Sequence, residues 1–408
     1  METVAHCTMG LEVLRTLPDT PVRIQYELDM QVALGQALQV TKGPPAPEVE
    51  RAYARARELC QQVEGTPQIV AVLGGLCMFY RVRGELQAAR ELGEQLLTLA
   101  QRLHDPERLA YAHWGLGEAL FYLGEFASAH AHLEQALAVS DTPQNRSLPS
   151  LFGGAARVNT LGTTAWVLWL LGYPDQALTR SHEMLTYAQE LQHAFSLARA
   201  LFNVATLHKL RGEAVATHEW AEAALAIVTE QGVGQLLRIV TFTRGWALAM
   251  QGQHEEGMAE MHQGLAARRA MGAGITLAEF PARLGEAYGR IGQAEAGLRL
   301  LAEALAVVDK DPWYEAEVHR IKGELLLWQA IPDTSQAEAY FQQALAVARR
   351  QQAKSYELRA ALSLSRLWQR QGKRTEAREL LAQIYGWFTE GFGTPDLQDA
   401  KALLDELT

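Results

Sequence analysis

Residues 293–308 read Gln-Ala-Glu-Ala-Gly-Leu-Arg-Leu-Leu-Ala-Glu-Ala-Leu-Ala-Val-Val, and residues 336–348 read Gln-Ala-Glu-Ala-Tyr-Phe-Gln-Gln-Ala-Leu-Ala-Val-Ala. In each phrase a small residue, Gly297 or Ala337, is followed four positions later by a bulky one, Leu301 or Phe341. A second small residue, Ala304 or Ala344, follows three further on. Residues three and four apart share one face of a helix, so the pattern marks where a neighbouring helix comes close. Counting outward, the small slot recurs at Ala89, Ala129, Ala177, Thr217, Gly257, Gly297, Ala337 and Ala377. Every step is 40 residues except the one of 48 from Ala129 to Ala177. Self-similarity at such a period marks a stacked solenoid, in which each unit buries its apolar face against its neighbours. The expected fold is all-α: a right-handed superhelical solenoid of about nine antiparallel helix pairs with a C-terminal capping helix.

The punctuation agrees. Gly84, Gly124, Gly172, Gly212, Gly252, Gly292 and Gly372 fall where the first helix of a pair should end in a left-handed cap. Asp105-Pro106 and Asp311-Pro312 read as helix starts, with Asp capping and Pro in the first turn. Pro281, inside a helical pattern, predicts a kink or a late start. Three regions follow: irregular N-terminal helices and a first repeat over 1–66, regular repeats over 67–390, and a capping helix over 391–408. The extra eight residues of the 48-residue step form an insertion at 141–153.

Composition narrows the function classes. A solenoid needs no single centre, so 408 residues do not imply several domains, and 48% apolar residues supply ample burial. The net charge of −10 opposes direct nucleic-acid binding, which needs a basic footprint. Cys7, Cys60 and Cys77 lack metal or disulfide spacing, and the N-terminus has no secretory pattern. The longest apolar stretch, 165–171, is far short of a membrane span. These readings imply a cytoplasmic chain with no membrane role.

Leu116-Gly117 with Leu120, Gly124, Ala129 and Ala136, and Leu284-Gly285 with Tyr288, Gly292 and Ala304, carry a family resemblance. They resemble tetratricopeptide repeats of the long kind found in the maltose-regulator type of bacterial transcription activator. Three further phrases are Leu17-Pro18-Asp19-Thr20-Pro21, 52–60 and 170–178 (Leu-Leu-Gly-Tyr-Pro-Asp-Gln-Ala-Leu). With Tyr385-Gly386-Trp387-Phe388-Thr389-Glu390-Gly391-Phe392, they make the chain similar to the C-terminal repeat region of bacterial proteins joining a class III nucleotide cyclase and a signalling ATPase domain. That resemblance implies that residues 4–17 are the second helix of a unit and that the output is signalling. The chain departs from it in holding no phosphate loop, and in reading Leu151-Phe152-Gly153-Gly154 where relatives carry an acidic segment.

Chemistry is sparse. His130 and His132, two apart, fall on different helix faces, and neither His218 nor His254 has a second histidine four residues on. No catalytic residue, metal site or cofactor is indicated. What remains is surface. In such stacks the first helix of each pair lines the concave side, and counting back from the turn glycine gives its outward positions. The groove so defined holds Tyr111, Trp114, Phe121, Trp166, Trp169, Arg199, Phe202, Lys209, Phe242, Trp246, Arg320, Arg359 and Arg366. Glu118, Asn159, Thr206, Glu279, Glu286, Glu317 and Glu324 share the register, whereas a one-residue offset would bury the set. Exposed Trp, Phe and Arg are the composition of binding hot spots. The expected function is a non-catalytic interaction or sensor module that binds a protein or peptide segment in the concave groove and regulates a signalling effector. Two rival readings are an inducer-sensing domain with a small-molecule ligand near 141–157, and a homo-oligomeric scaffold associating through the N-terminal helix. Trp220, Trp328 and Trp387 read as core.

Overall fold

The capping glycines set the architecture. In a computed structural model, which describes residues 2–63, 67–140, 155–231 and 234–408, all seven have positive φ, between 75° and 93°. At each, the amide of the next residue reaches back to a carbonyl five before it, as Glu85 does to Tyr80 and Lys373 does to Trp368. The first helix is thereby stopped and its second turned to face it.

Twenty α-helices follow among the described residues. They are α1 (Glu2–Arg15), α2 (Pro21–Thr41), α3 (Pro47–Gln62), α4 (Ile69–Arg83), α5 (Leu86–Leu103), α6 (Pro106–Tyr122) and α7 (Phe126–Ser140). Next come α8 (Ala155–Leu170), α9 (Pro174–Glu190), α10 (Ala194–Arg211), α11 (Ala214–Glu230), α12 (Gly234–Met250) and α13 (His254–Ala270). The last are α14 (Glu279–Arg290), α15 (Ala294–Leu305), α16 (Glu315–Leu327), α17 (Thr334–Arg350), α18 (Lys354–Arg370), α19 (Arg374–Tyr385) and α20 (Pro395–Glu406). From α2 to α19 these make nine pairs, each packed on the next. The insertion at 141–153 lies outside the described residues.

The period has a direct packing cause. All eight small-slot residues are buried, and Leu133, Met261, Leu301, Phe341 and Leu381, four positions on, are fully buried. Burying a side chain of that size contributes about 1.5–3 kcal/mol, so each unit is held mainly by this shared seam. At the C-terminal end α20 covers the last pair with Leu397, Ala400, Leu403 and Leu407. At the other end α1 packs on α2 through Leu11 and Leu14 and leaves Met9 and Val13 exposed.

One local expectation holds and two change. α14 starts late, at Glu279, with Pro281 in its first turn. Asp105 caps its own helix, its carboxylate accepting from the Arg108 amide at 3.1 Å. Asp311 does not: a short 3-10 turn, Pro312–Tyr314, intervenes, and its carboxylate accepts from the Ala278 amide beside α14 at 2.9 Å. Trp328 and Trp387 are partly exposed rather than core.

The largest departure concerns the concave side, which is closed. The superhelix turns far enough to press its C-terminal repeats onto earlier ones. The Gly274 amide donates to the Val82 carbonyl at 2.7 Å, and a Cβ on Gly274 would sit 1.9 Å from the Arg83 oxygen. Further along, Glu390 accepts from the Asp175 and Gln176 amides at 2.9 and 3.1 Å, while Asp175 accepts from the Gly391 amide at 3.0 Å. One apolar core consequently runs from Val82 through Phe121, Trp169, Leu207 and Trp313 to Tyr356, across repeats far apart in sequence.

Candidate functional site

Two groups of ionisable side chains meet inside this closed superhelix. The first is built from α4, α6, α8, α10 and α13. Arg81, three before the glycine that ends α4, pairs with Glu118 on α6, and the Thr163 hydroxyl of α8 donates to the other Glu118 oxygen. Burial works most strongly against the Arg81 charge, but Glu118, Tyr122, Cys77 and Tyr111 together outweigh it and leave the guanidinium above its ordinary value. Arg199 of α10 lies within electrostatic reach of Glu118, Tyr122 and Arg81, and its Nε has no hydrogen-bond partner. Arg268 of α13 donates from Nη2 to the Ile275 carbonyl at 2.8 Å, and its buried Nε is likewise unpartnered. Burial holds both guanidiniums below their ordinary value. Asp311, fully buried among these groups, is pushed up to about 7 by burial, against the pull of the Ala278 and Thr276 amides. Among the described residues its Oδ1 has no partner, and neither do Trp114 Nε1, Trp313 Nε1 and Thr206 Oγ1.

The second group lies farther along the interior and is closely paired. Lys209 of α10 donates to Glu279 of α14 at 2.7 Å, and Arg283 Nε donates to the same oxygen at 2.9 Å. Arg283 is stacked between the Trp246 and Tyr314 rings, 5.4 and 5.2 Å from their centres. Arg320 grips Glu317 at 2.7 and 3.1 Å and approaches Glu286 at 3.6 Å. Arg359 of α18 reaches Glu317 at 3.5 Å and Asp396 at 2.8 Å, donates to the Leu210 carbonyl at 2.6 Å and covers the Trp169 ring. Four cations meet four carboxylates here, the arrangement that buried charge requires.

Within this interior the sequence-derived positions divide plainly. Trp114, Phe121, Trp169, Phe202, Lys209, Phe242 and Trp246 are buried. Tyr111, Trp166, Arg199, Arg320 and Arg359 are partly buried, and Arg366 is exposed, paired with Asp399. The aromatic positions therefore do not line an open groove. Trp166 donates to the Asn203 carbonyl at 3.1 Å, Phe121 packs on Trp313 at 5.2 Å, and Phe242 stacks on Phe280 at 3.7 Å. The counting register brings Glu118 and Arg199 into the first group and Lys209, Glu279, Glu286, Glu317, Arg320 and Arg359 into the second. It missed Arg81, which holds the same place before Gly84 that Lys209 holds before Gly212. Arg268, Asp311 and Trp313 come from a second helix and a loop, for which the register has no position.

Elsewhere His113 and His132 face each other with ring nitrogens 2.9 Å apart, and burial, then His132, holds His113 down at about 4. Among the described residues no three His, Cys, Asp or Glu side chains are placed to hold a metal ion, and no helix is long and apolar enough to cross a membrane.

Known proteins resemble this geometry. Residues 68–142 match the tetratricopeptide repeat family. An uncharacterized protein of Rhizobium meliloti (strain 1021) is 23% identical over 308 residues, 72% of this chain, and the chain spans 29% of that relative's length. Among solved structures, a Rap protein complexed with Competence and Sporulation Factor superposes with a TM-score of 0.58 at 15% identity, over 91% of this chain and 93% of that one. NprR in complex with its cognate peptide NprX gives 0.54 at 11% identity, over 94% and 99%. The Rap conjugation gene regulator of plasmid pLS20 in complex with the Phr* peptide gives 0.53 at 11% identity, over 96% and 97%. These likenesses agree with the 40-residue period and the shared helical seam: the chain folds as a tetratricopeptide-repeat solenoid.

Proposed function

We propose that the chain is a non-catalytic regulatory module whose inner face holds a segment of a peptide or protein partner and reports its occupancy to a signalling effector. The observation that carries this is the convergence of aromatic and ionisable side chains from α4, α6, α8, α10, α12, α14, α16 and α18 on one interior. Helices built only to stack have no need to turn charge inward, where it costs free energy unless paired. The peptides named in two structures of similar fold support the choice of occupant. The phrases shared with cyclase and ATPase sensors support a cyclase or ATPase effector.

Peptides selected from a random display library against the full chain provide the test. Hydrogen exchange of each complex should show protection on α6, α8, α10 and α12. Protection confined to the outer helices α7, α9 and α11, or no selection at all, rejects the inner-face reading. A second reading keeps its place because the interior is enclosed, which suits a small ligand better than an open groove does. A ligand that raises the melting temperature in a metabolite screen while no peptide is selected would favour it.

A further inference from the structure

We propose that His113 of α6 and His132 of α7 form a chelate for one divalent transition-metal ion of tetragonal preference, nickel(II) or copper(II). The inference goes beyond the segment-binding reading and does not depend on it, because neither histidine belongs to the two interior groups.

Three observations carry it. First, the distance suits two ligands of one ion. The Nδ1 atoms of the two rings lie 2.9 Å apart. At a metal–nitrogen bond of about 2.0–2.1 Å that separation subtends about 90°, the cis angle of a square-planar or octahedral ion. A tetrahedral ion would hold the two nitrogens about 3.3 Å apart. Second, the backbone under both rings is fixed. α6 and α7 are pressed together where Gly117, one turn after His113, meets Leu133, the neighbour of His132. A Cβ on Gly117 would lie 2.9 Å from Leu133 Cγ. Ligands already gathered on two packed helices spare the ion the cost of ordering them. Third, the pair is uncharged and within reach of solvent. Both rings are partly exposed, and burial holds each below the ordinary histidine value, so both are free to ligate near neutral pH. Glu94 of α5 lies within electrostatic reach of His132, which favours a cation there.

The ring centres are 5.1 Å apart, so the two nitrogens point at each other and one of them carries the shared hydrogen. On binding, each ring turns about its Cβ–Cγ bond, that hydrogen moves to Nε2 of its own ring, and both Nδ1 lone pairs meet the ion. Water fills the remaining positions. Nineteen residues separate the two histidines, so no ligand spacing in the sequence marks them.

The test uses the untagged full chain, stripped of metal and titrated calorimetrically with nickel(II) and with zinc(II). One nickel(II) per chain should bind, more tightly than zinc(II), and should raise the melting temperature. His113→Phe and His132→Phe each keep a ring and remove the ligand, and each should weaken nickel(II) binding at least about tenfold. His130→Phe, on a different face of α7 and beside Glu134, should leave it unchanged. Should a variant at 113 or 132 fail to fold, the wild-type chain still decides. Paramagnetic broadening by substoichiometric nickel(II) should then fall first on the amide signals around residues 113 and 132.

Equal affinity in wild type and in both variants overturns the chelate, since an ion spread adventitiously over the twelve histidines would not notice either change. An equal loss in His130→Phe, or broadening centred elsewhere, overturns it in the same way. Tighter binding of zinc(II) than of nickel(II) overturns the cis geometry on which the assignment rests, and no binding of nickel(II) ends the proposal outright.

Discussion

The two ends of the interior use the same residue types differently. Around Glu279 and Glu317 every cation has a carboxylate against it, and the charges tie α10, α14, α16 and α18 together across the turn of the superhelix. Around Arg81 the cations outnumber the anions, whereas unpartnered donors stand at both ends, Trp114, Trp313, Arg199 and Arg268 here and Trp246, Arg283, Tyr314 and Tyr356 there, so charge and not hydrogen bonding separates the two. Buried ion pairs add little net stability against apolar packing, but breaking one strands the survivor in a poor solvent. The first end therefore behaves as structure, intolerant of any single loss. The second holds a surplus of positive charge that folding does not need, which the proposed segment-binding role would use.

The largest test of that contrast is Glu279→Gln. The substitution keeps size and a hydrogen-bonding oxygen but leaves Lys209 and Arg283 buried without their counter-charge. A loss of about 3–5 kcal/mol in urea denaturation is expected. A loss below about 1 kcal/mol would mean that the pair reaches solvent and that the first end is not closed.

Next in size is a pH effect at the other end. Asp311 titrates at about 7 in the folded protein because of burial, far above the ordinary carboxyl range near 4. The folded state thus holds a proton that the unfolded chain releases. Stability from this group is full below about pH 4 and declines as pH rises toward 7. Asparagine cannot ionise, and its side-chain oxygen can still accept from the Ala278 amide. The stability of Asp311→Asn minus that of wild type should therefore grow between pH 5 and pH 8, by up to roughly 2.5 kcal/mol. A difference flat across that range would place Asp311 among ordinary solvated carboxylates.

Much of this organisation is legible in the sequence because it is local and repeated. The small slots, the capping glycines and the inner-face register all follow from a 40-residue period imposed by one kind of packing. The closure across the superhelix is not legible, because it depends on accumulated twist between units. No residue pattern marks that Gly274 will meet Val82. The phrases Tyr173-Pro174-Asp175-Gln176 and Trp387-Phe388-Thr389-Glu390-Gly391 stand out in the sequence separately. Only the fold shows that they meet, with Tyr173 and Trp387 ring centres 5.6 Å apart. Asp311 illustrates the same limit from the other side: its spacing fits a cap for its own helix, and its carboxylate serves α14.

That meeting yields an intermediate prediction. Gly391 and Gly372 both have positive φ, 75° and 80°, so alanine strains the backbone equally at either. A Cβ on Gly391 would lie 1.9 Å from Pro174 Cγ, whereas one on Gly372 meets nothing within 4 Å. Gly391→Ala should therefore cost about 1–3 kcal/mol more than Gly372→Ala, and small-angle scattering should show the larger radius of gyration for Gly391→Ala. Equal costs and equal radii would mean that the junction adds nothing to closure.

The smallest effect is also the most discriminating. In the protein without ligand, Arg199→Met removes a guanidinium that burial disfavours and that, among the described residues, has no ion-pair partner within 4 Å and carries an unpartnered Nε. Its long stem is replaced by one of similar length, so packing is largely kept. The expected change in denaturation free energy is between zero and a gain of about 1 kcal/mol. The same substitution at Arg320 strands Glu286 and Glu317 and should join the class of Glu279→Gln, with a loss of several kcal/mol. One chemical change then has opposite signs at the two ends. A comparable loss at both positions would show that Arg199 is held by the fold, and the division of the interior into structure and surplus would collapse.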